Sequence, residues 1–253
     1  MGTTWSDVAA EMAIVELHDE AVMKRAALEQ AIYVFVEGES EETALTILLT
    51  GRLNLGKIGA KIANYNGHGN LSAALRLLNL TLSHNRPIIV TYDNDPASTK
   101  SIKKCQQQGL LNNQTYLFPM PTHPIVKYSS GHRGGSFEEC FPVKTFLDAA
   151  FSSETLPTSA SEYRTKFESE FDPCEPWLRQ LKEFTAGIGF TGWSVRKLLL
   201  AKTLATMCDK LPSTFMELAD LIQDVRTNYP VVHPDDVELP KIPGLTAPSE
   251  RLP

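Results

Sequence analysis

The chain has 253 residues, of which 42% are hydrophobic and 21% charged, ordinary values for a globular protein and enough for one large domain or one domain with a helical extension. A net charge of −6 excludes a global basic field, so a polyanion would be met through a local basic patch, a bound cation or a partner. The N-terminus carries Asp7, Glu11 and Glu16 and lacks the basic start of a signal peptide, and no apolar run reaches membrane-spanning length. Cys105, Cys140, Cys174 and Cys208 are scattered and form no CxxC pair, which argues against zinc and for reduced thiols in a cytoplasmic protein.

In chain order, residues 5–30 read as a helix, with Ser6 as a cap and Val8, Met12, Val15 and Val22 near one face. This helix would pack on the domain or dock a partner. Ala31–Val36 is an apolar strand that ends in Glu37-Gly38. Ser40 is expected to cap a helix over 41–53, with Glu41 and Glu42 in its first turn, where the helix dipole favours them. Lys57–Tyr65 has a weaker strand pattern, and Asn66–Asn70 is a turn cluster. Leucines at helical spacing predict a helix over Leu71–His84.

Pro87–Tyr92 is the next strand, followed by Asp93-Asn94-Asp95. Pro96, at a first helical position, opens a polar helix to about Gln108, and Gln114–Phe118 forms a fourth strand. The alternation implies a parallel sheet covered by helices, an α/β core over 31–150. Pro119–Gly135 has little periodicity and reads as a functional loop. Ser136–Phe151, Ser161–Glu183, Gly192–Lys210 and Pro212–Thr227 read as helices, giving a helical region over 151–229. A proline-rich tail fills 230–253.

Two buried strands that both end in acids are the strongest chemical feature. Asp93 and Asp95 lie two apart on an extended segment and point the same way. If the first and third strands are neighbours, Glu37 and Glu41 lie beside them. Four converging carboxylates repel unless a cation joins them, and magnesium or manganese suits oxygen ligands. Two such ions would stabilise the attacking and leaving oxygens of a phosphodiester displacement. Each acid also has a plainer role: Glu41 as a dipole partner, Asp95 as a cap, Glu37 as a turn residue. Ser136 and Glu139 have capping-box spacing, which leaves Glu138 for chemistry.

Glu37-Gly38-x-x-Glu41 followed by Asp93-x-Asp95 resembles the Toprim domain of topoisomerases, primases and several nucleases. Glutamate at position 41, the Phe137-Glu138-Glu139-Cys140-Phe141 segment and Lys197 with Ala201 in a K-x-x-x-A pattern look most like the OLD (overcoming lysogenization defect) nucleases. Arg196 stands where that family usually has glycine. The resemblance covers about residues 31–205. It implies that Glu37, Glu41, Asp93, Asp95 and Glu138 hold Mg2+ or Mn2+, that Glu37 and Lys197 are catalytic, and that Lys197 neutralises charge on the scissile phosphate.

OLD nucleases usually join this part to an ABC-type ATPase, but no GxxxxGK[ST] occurs here. The resemblance therefore implies either a separate ATPase partner, as in some antiphage defence pairs, or a domain acting alone; self-association is common for the fold. Lys100, Lys103 and Lys104, together with His132 and Arg133, are candidates for nucleic-acid contact, although charged helices and loops are often simply solvated. Two other functions fit less of the sequence. A haloacid-dehalogenase-like phosphotransferase would use Asp93-x-Asp95 but leave Glu37 and Glu41 idle, and Ala97 stands where it expects Thr or Val. A non-cleaving Toprim-like module would bind metal or a partner.

Overall fold

The structure, a computed structural model, describes residues 31–50, 53, 55–81, 87–157, 162–190 and 192–229. The helix expected over 5–30 and the tail expected over 230–253 lie outside the described residues. Ala31–Tyr229 is one compact unit.

Four parallel strands form its centre: β1 (Ile32–Val36), β2 (Ala60–Asn64), β3 (Ile88–Asp93) and β4 (Thr115–Met120), in the order β2-β1-β3-β4. The first and third strands are neighbours, as the acid pattern required, with Tyr33, Val34 and Phe35 opposite Ile88, Ile89 and Val90. Side chains alternate across the pleat, and both faces are covered. Ile32, Val34, Val36, Ile89, Phe118 and Met120 face one apolar cluster. Phe35, Ile88 and Val90 face the other, under Leu71, Leu75 and Ile102.

The helices that fill these layers are α1 (Glu39–Thr50), α2 (Leu55–Ile58), α3 (Leu71–Thr81), α4 (Pro96–Gln107), α5 (Val143–Ala150), α6 (Arg164–Glu170), α7 (Trp177–Gly187), α8 (Trp193–Met207) and α9 (Ser213–Asn228). α3 and α4 cover the second cluster. α1, α8 and α9 cover the first, where Ala44, Ala201 and Ala205 let α1 and α8 approach closely. The later helices thus share the sheet's own core: Phe215 from α9 lies 5.6 Å from the Phe137 ring and 5.2 Å from the Phe141 ring. Trp177 packs on Phe146 at 5.2 Å.

Several boundaries differ from the sequence expectation. α1 begins at Glu39 rather than 41, so Ser40 is a buried first-turn residue and not the cap. β2 is confined to Ala60–Asn64, with the short α2 before it. The expected helix over Ser136–Phe151 is a 3-10 turn at Phe137–Cys140 followed by α5. Pro142 separates them, since it has no N–H to continue a helical ladder. The expected helix over Ser161–Glu183 is split into α6 and α7 because Pro173 and Pro176 push Asp172 and Glu175 out of helical conformation. Inside the expected loop over Pro119–Gly135, Val126–Lys127 (β5) and Arg133–Gly134 (β6) form a small antiparallel hairpin.

Among the described residues no helix is long and apolar enough to cross a membrane. Leu204 on α8 is fully buried in the shared core. Leu204→Ala should lower stability by about 2–5 kcal/mol through the cavity it leaves. Urea titration should show one shifted cooperative transition in which the sheet and the later helices unfold together.

Candidate active site

β1 and β3 deliver their acids to the same sheet edge. Glu37 follows the last residue of β1, and Asp93 is the last residue of β3. Gly38 turns the chain into α1, whose first turn carries Glu41. Glu138 comes from the Phe137–Cys140 turn, and Lys197 from the second turn of α8. Glu41 is 1% exposed, Asp93 9% and Glu138 2%.

Electrostatics shows that these groups share one neighbourhood. Burial, followed by the charges of Glu41, Glu37 and Glu138, pushes Asp93 well above the usual carboxylate range, with Lys197 pulling the other way. Lys197 is held protonated far above its usual range, first by Glu138 and then by Glu41 and Asp93, against the opposing effect of its own burial. Its Nζ lies 3.2 Å from Glu41 Oε1. Asp93 Oδ1 accepts a hydrogen bond from the Phe137 N–H at 3.0 Å, which ties the third strand to the turn carrying Glu138. Buried Tyr65 donates its hydroxyl to the Thr91 carbonyl at 3.1 Å. Burial and the charges of Glu37, Asp93 and Glu41 push that hydroxyl far above its usual range, so it remains a donor.

The other predicted residues divide by position. Glu37 is half-buried at the mouth, where Ser98 Oγ donates to Oε2 at 3.0 Å and His68 Nδ1 lies 3.5 Å from Oε1. Asp95 caps α4, its Oδ1 accepting from the Ser98 N–H at 2.6 Å. One of its two oxygens is thus engaged by the helix, at the mouth rather than inside the buried cluster. Ser98 therefore joins the acids that follow the two strands, a role that sequence reasoning missed; the Asp95-x-x-Ser98 capping spacing was its only trace. Lys100, Lys103, Lys104 and Arg133 are exposed. His132 Nε2 lies 3.0 Å from the Asn94 carbonyl, an acceptor only, so that nitrogen carries the proton and fastens the hairpin to the Asp93–Asp95 segment. His132 is thus a fastening of the loop rather than a free contact.

The capping box at Ser136 is present, and Glu139 is its structural half. Glu139 Oε2 accepts from the Ser136 N–H at 2.6 Å, and Oε1 accepts from the Trp177 N–H at 2.7 Å. Burial, with the charge of Glu138 beside it, pushes Glu139 up to about 7. The Ser136 hydroxyl also reaches Glu138 Oε2 at 2.8 Å.

The donor set is made of oxygens and suits a hard divalent ion. Glu41 Oε2 is buried with no hydrogen-bond partner among the described residues, and a Cβ at position 38 would come within 3.0 Å of it. An orphaned anionic oxygen beside a glycine is what an oxygen-seeking cation would satisfy. As the side chains lie, no three His, Cys, Asp or Glu groups among the described residues stand close enough to hold one ion. Glu41 is turned to Lys197 and Asp93 to the Phe137 N–H.

Three substitutions test these structural roles. Glu139→Gln offers one carbonyl oxygen where two carboxylate oxygens serve separate donors. It should cost about 1–3 kcal/mol in chemical denaturation, while Glu138→Gln should leave the fold in place. At Gly134 a Cβ would lie 1.7 Å from the Asn94 carbonyl oxygen. Gly134→Ala should therefore destabilise by about 1–3 kcal/mol, read as a lower melting temperature.

No family model and no curated protein matches the sequence. Among solved structures, the C-terminal region of the Burkholderia pseudomallei OLD protein is similar, with a TM-score of 0.51 at 17% identity over 77% of this chain and 97% of that one. The C-terminal region of the Xanthomonas campestris pv. campestris OLD protein gives a TM-score of 0.49 at 16% identity over 78% of this chain and 97% of that one. The likeness to the Burkholderia structure is one of fold: a parallel sheet flanked by helices, with a helical C-terminal region.

Proposed function

We propose that this protein is a divalent-metal-dependent nuclease that hydrolyses phosphodiester bonds of DNA or RNA, with an OLD-like Toprim site, and that it serves antiphage defence beside a separate ABC-type ATPase. The observation that carries the reading is the meeting, at one sheet edge, of Glu37, Glu41, Asp93 and Glu138 with Lys197. Five groups from four separate stretches of chain have no structural need to meet there, and buried like charges are costly to hold.

In this reading Glu41, Asp93 and Glu138, with Glu37 and Asp95 at the mouth, would hold Mg2+ or Mn2+. Such an ion supplies Lewis-acid charge against phosphate oxygens. Lys197, held protonated by three carboxylates, places a fixed cation where negative charge builds on the reacting phosphate. Glu37 is the least enclosed acid of the cluster and is positioned to exchange a proton with the incoming water. Ser98 and His68 orient its two oxygens. The phosphotransferase alternative loses ground because Glu37 and Glu41, idle in that chemistry, press directly on Asp93. The non-cleaving module retains one favourable observation: Glu41 is occupied by Lys197 as the side chains lie.

Of plasmid DNA, single-stranded DNA and tRNA incubated with manganese or magnesium, at least one should be cut by the protein and left intact with EDTA. Glu37→Ala should abolish cutting. Lys197→Ala should lower kcat by about 10²–10³. Calorimetric titration should show manganese binding that Asp93→Asn weakens. Metal binding without cleavage, with or without an added ATPase, decides for the non-cleaving module.

A further inference from the structure

Helix α4 is strongly basic and lies next to the mouth of the acid cluster. It carries Lys100, Lys103 and Lys104 and has no acid anywhere between Pro96 and Gln107. On α5, α6 and α7, by contrast, Lys144 meets Asp148 at 2.9 Å, Arg164 meets Glu168 at 2.7 Å and Arg179 meets Glu175 at 2.6 Å, each one turn away. Among the described residues the three α4 lysines meet no carboxylate, and all three are exposed. In a chain of net charge −6, this is a concentrated patch of the opposite sign.

The patch is concave. Between α4 and the His68–Asn70 turn lies an open groove of about 640 Å³, lined by His68, Ala97, Lys100, Ser101, Lys103 and Lys104. Its two sides are joined where the Ser101 hydroxyl donates to the His68 carbonyl. His68 is shared: it lines the groove, and its Nδ1 lies 3.5 Å from Glu37 Oε1. The groove therefore adjoins the mouth of the acid cluster.

The geometry points to this groove as the seat for the phosphodiester backbone of one nucleic-acid strand beside the bond to be cut. The inference rests on the nuclease reading for the identity of the polymer. Three lysines in a row suit successive phosphates, and contacts of this kind position a strand without reading its bases. The acid cluster would repel the same backbone, so a basic track next to it gives the strand a place to rest while one phosphate enters.

Fluorescence anisotropy with a labelled single strand of mixed sequence, in EDTA and across a salt series, tests the groove apart from catalysis. Replacing Lys100, Lys103 and Lys104 together by alanine should weaken binding at low salt by at least about tenfold. It should also flatten the dependence of log Kd on log salt by about two, since each phosphate contact on a single strand contributes about 0.7. The pair Lys182→Ala and Lys202→Ala should change neither. Unaltered affinity and slope in the triple variant overturns the groove, as does absence of binding by the unaltered protein at low salt. Hydrolysis of bis-p-nitrophenyl phosphate with manganese reads the acid site alone and should survive in the triple variant; its loss there would place the lysines at the reacting centre and overturn the groove. Glu37→Ala in that second assay judges the nuclease reading by itself.

Discussion

Carboxylates crowd together at one end of a parallel sheet, and their mutual repulsion has to be offset by the groups around them. Asp93 is buried among the charges of Glu41, Glu37 and Glu138, and its proton is held far more tightly than an ordinary aspartate would hold it. One ammonium, Lys197, opposes this excess. A single cation cannot balance four carboxylates, so the cluster is an electrostatic demand for further positive charge or for protons. Magnesium or manganese would meet that demand without removing the oxygens from use.

Holding such a cluster requires a scaffold that does not yield. The strands carrying Glu37 and Asp93 are adjacent and buried on both faces, so neither can slide without moving its whole apolar set. The turn bearing Glu138 is tied to Asp93 through the Phe137 N–H and to α7 through Glu139 and the Trp177 N–H. The hairpin is fastened by His132 and by the close approach of Gly134 to the Asn94 carbonyl. These bonds fix the groups around the acid cluster from outside it, which is how such a cluster is kept in register when its own members repel.

Lys197 makes the helical region part of the site rather than an appendage. α8 packs on α1, the helix that carries Glu41, and so the cation and its nearest acid are presented by two helices that share one apolar seam. Arg196, where the OLD pattern has glycine, donates to the Thr155 carbonyl and lies 4.6 Å over the Phe190 ring. This anchors the start of the same helix. The outer surface answers with the opposite sign, for α4 turns its lysines outward next to the mouth.

What could be read before folding was whatever depends on neighbours along the chain. Apolar runs marked β1 and β3, Pro96 marked the start of α4, and Ser136 with Glu139 marked a capping box, because strand burial, fixed proline geometry and capping are all short-range effects. Proline also sets a limit on apolar spacing as a guide: Pro142, Pro173 and Pro176 interrupt two stretches whose spacing is helical throughout. The α/β alternation and the acids at strand ends are therefore legible along the chain. It takes the folded core to set β1 beside β3, to brace Glu37 with Ser98 and His68, to give Asp95 to a helix while Asp93 enters the cluster, and to bring Lys197 to Glu41 across 156 positions of chain. Those relations come from the packing of distant segments on a common apolar core, and no local pattern encodes which segments will meet.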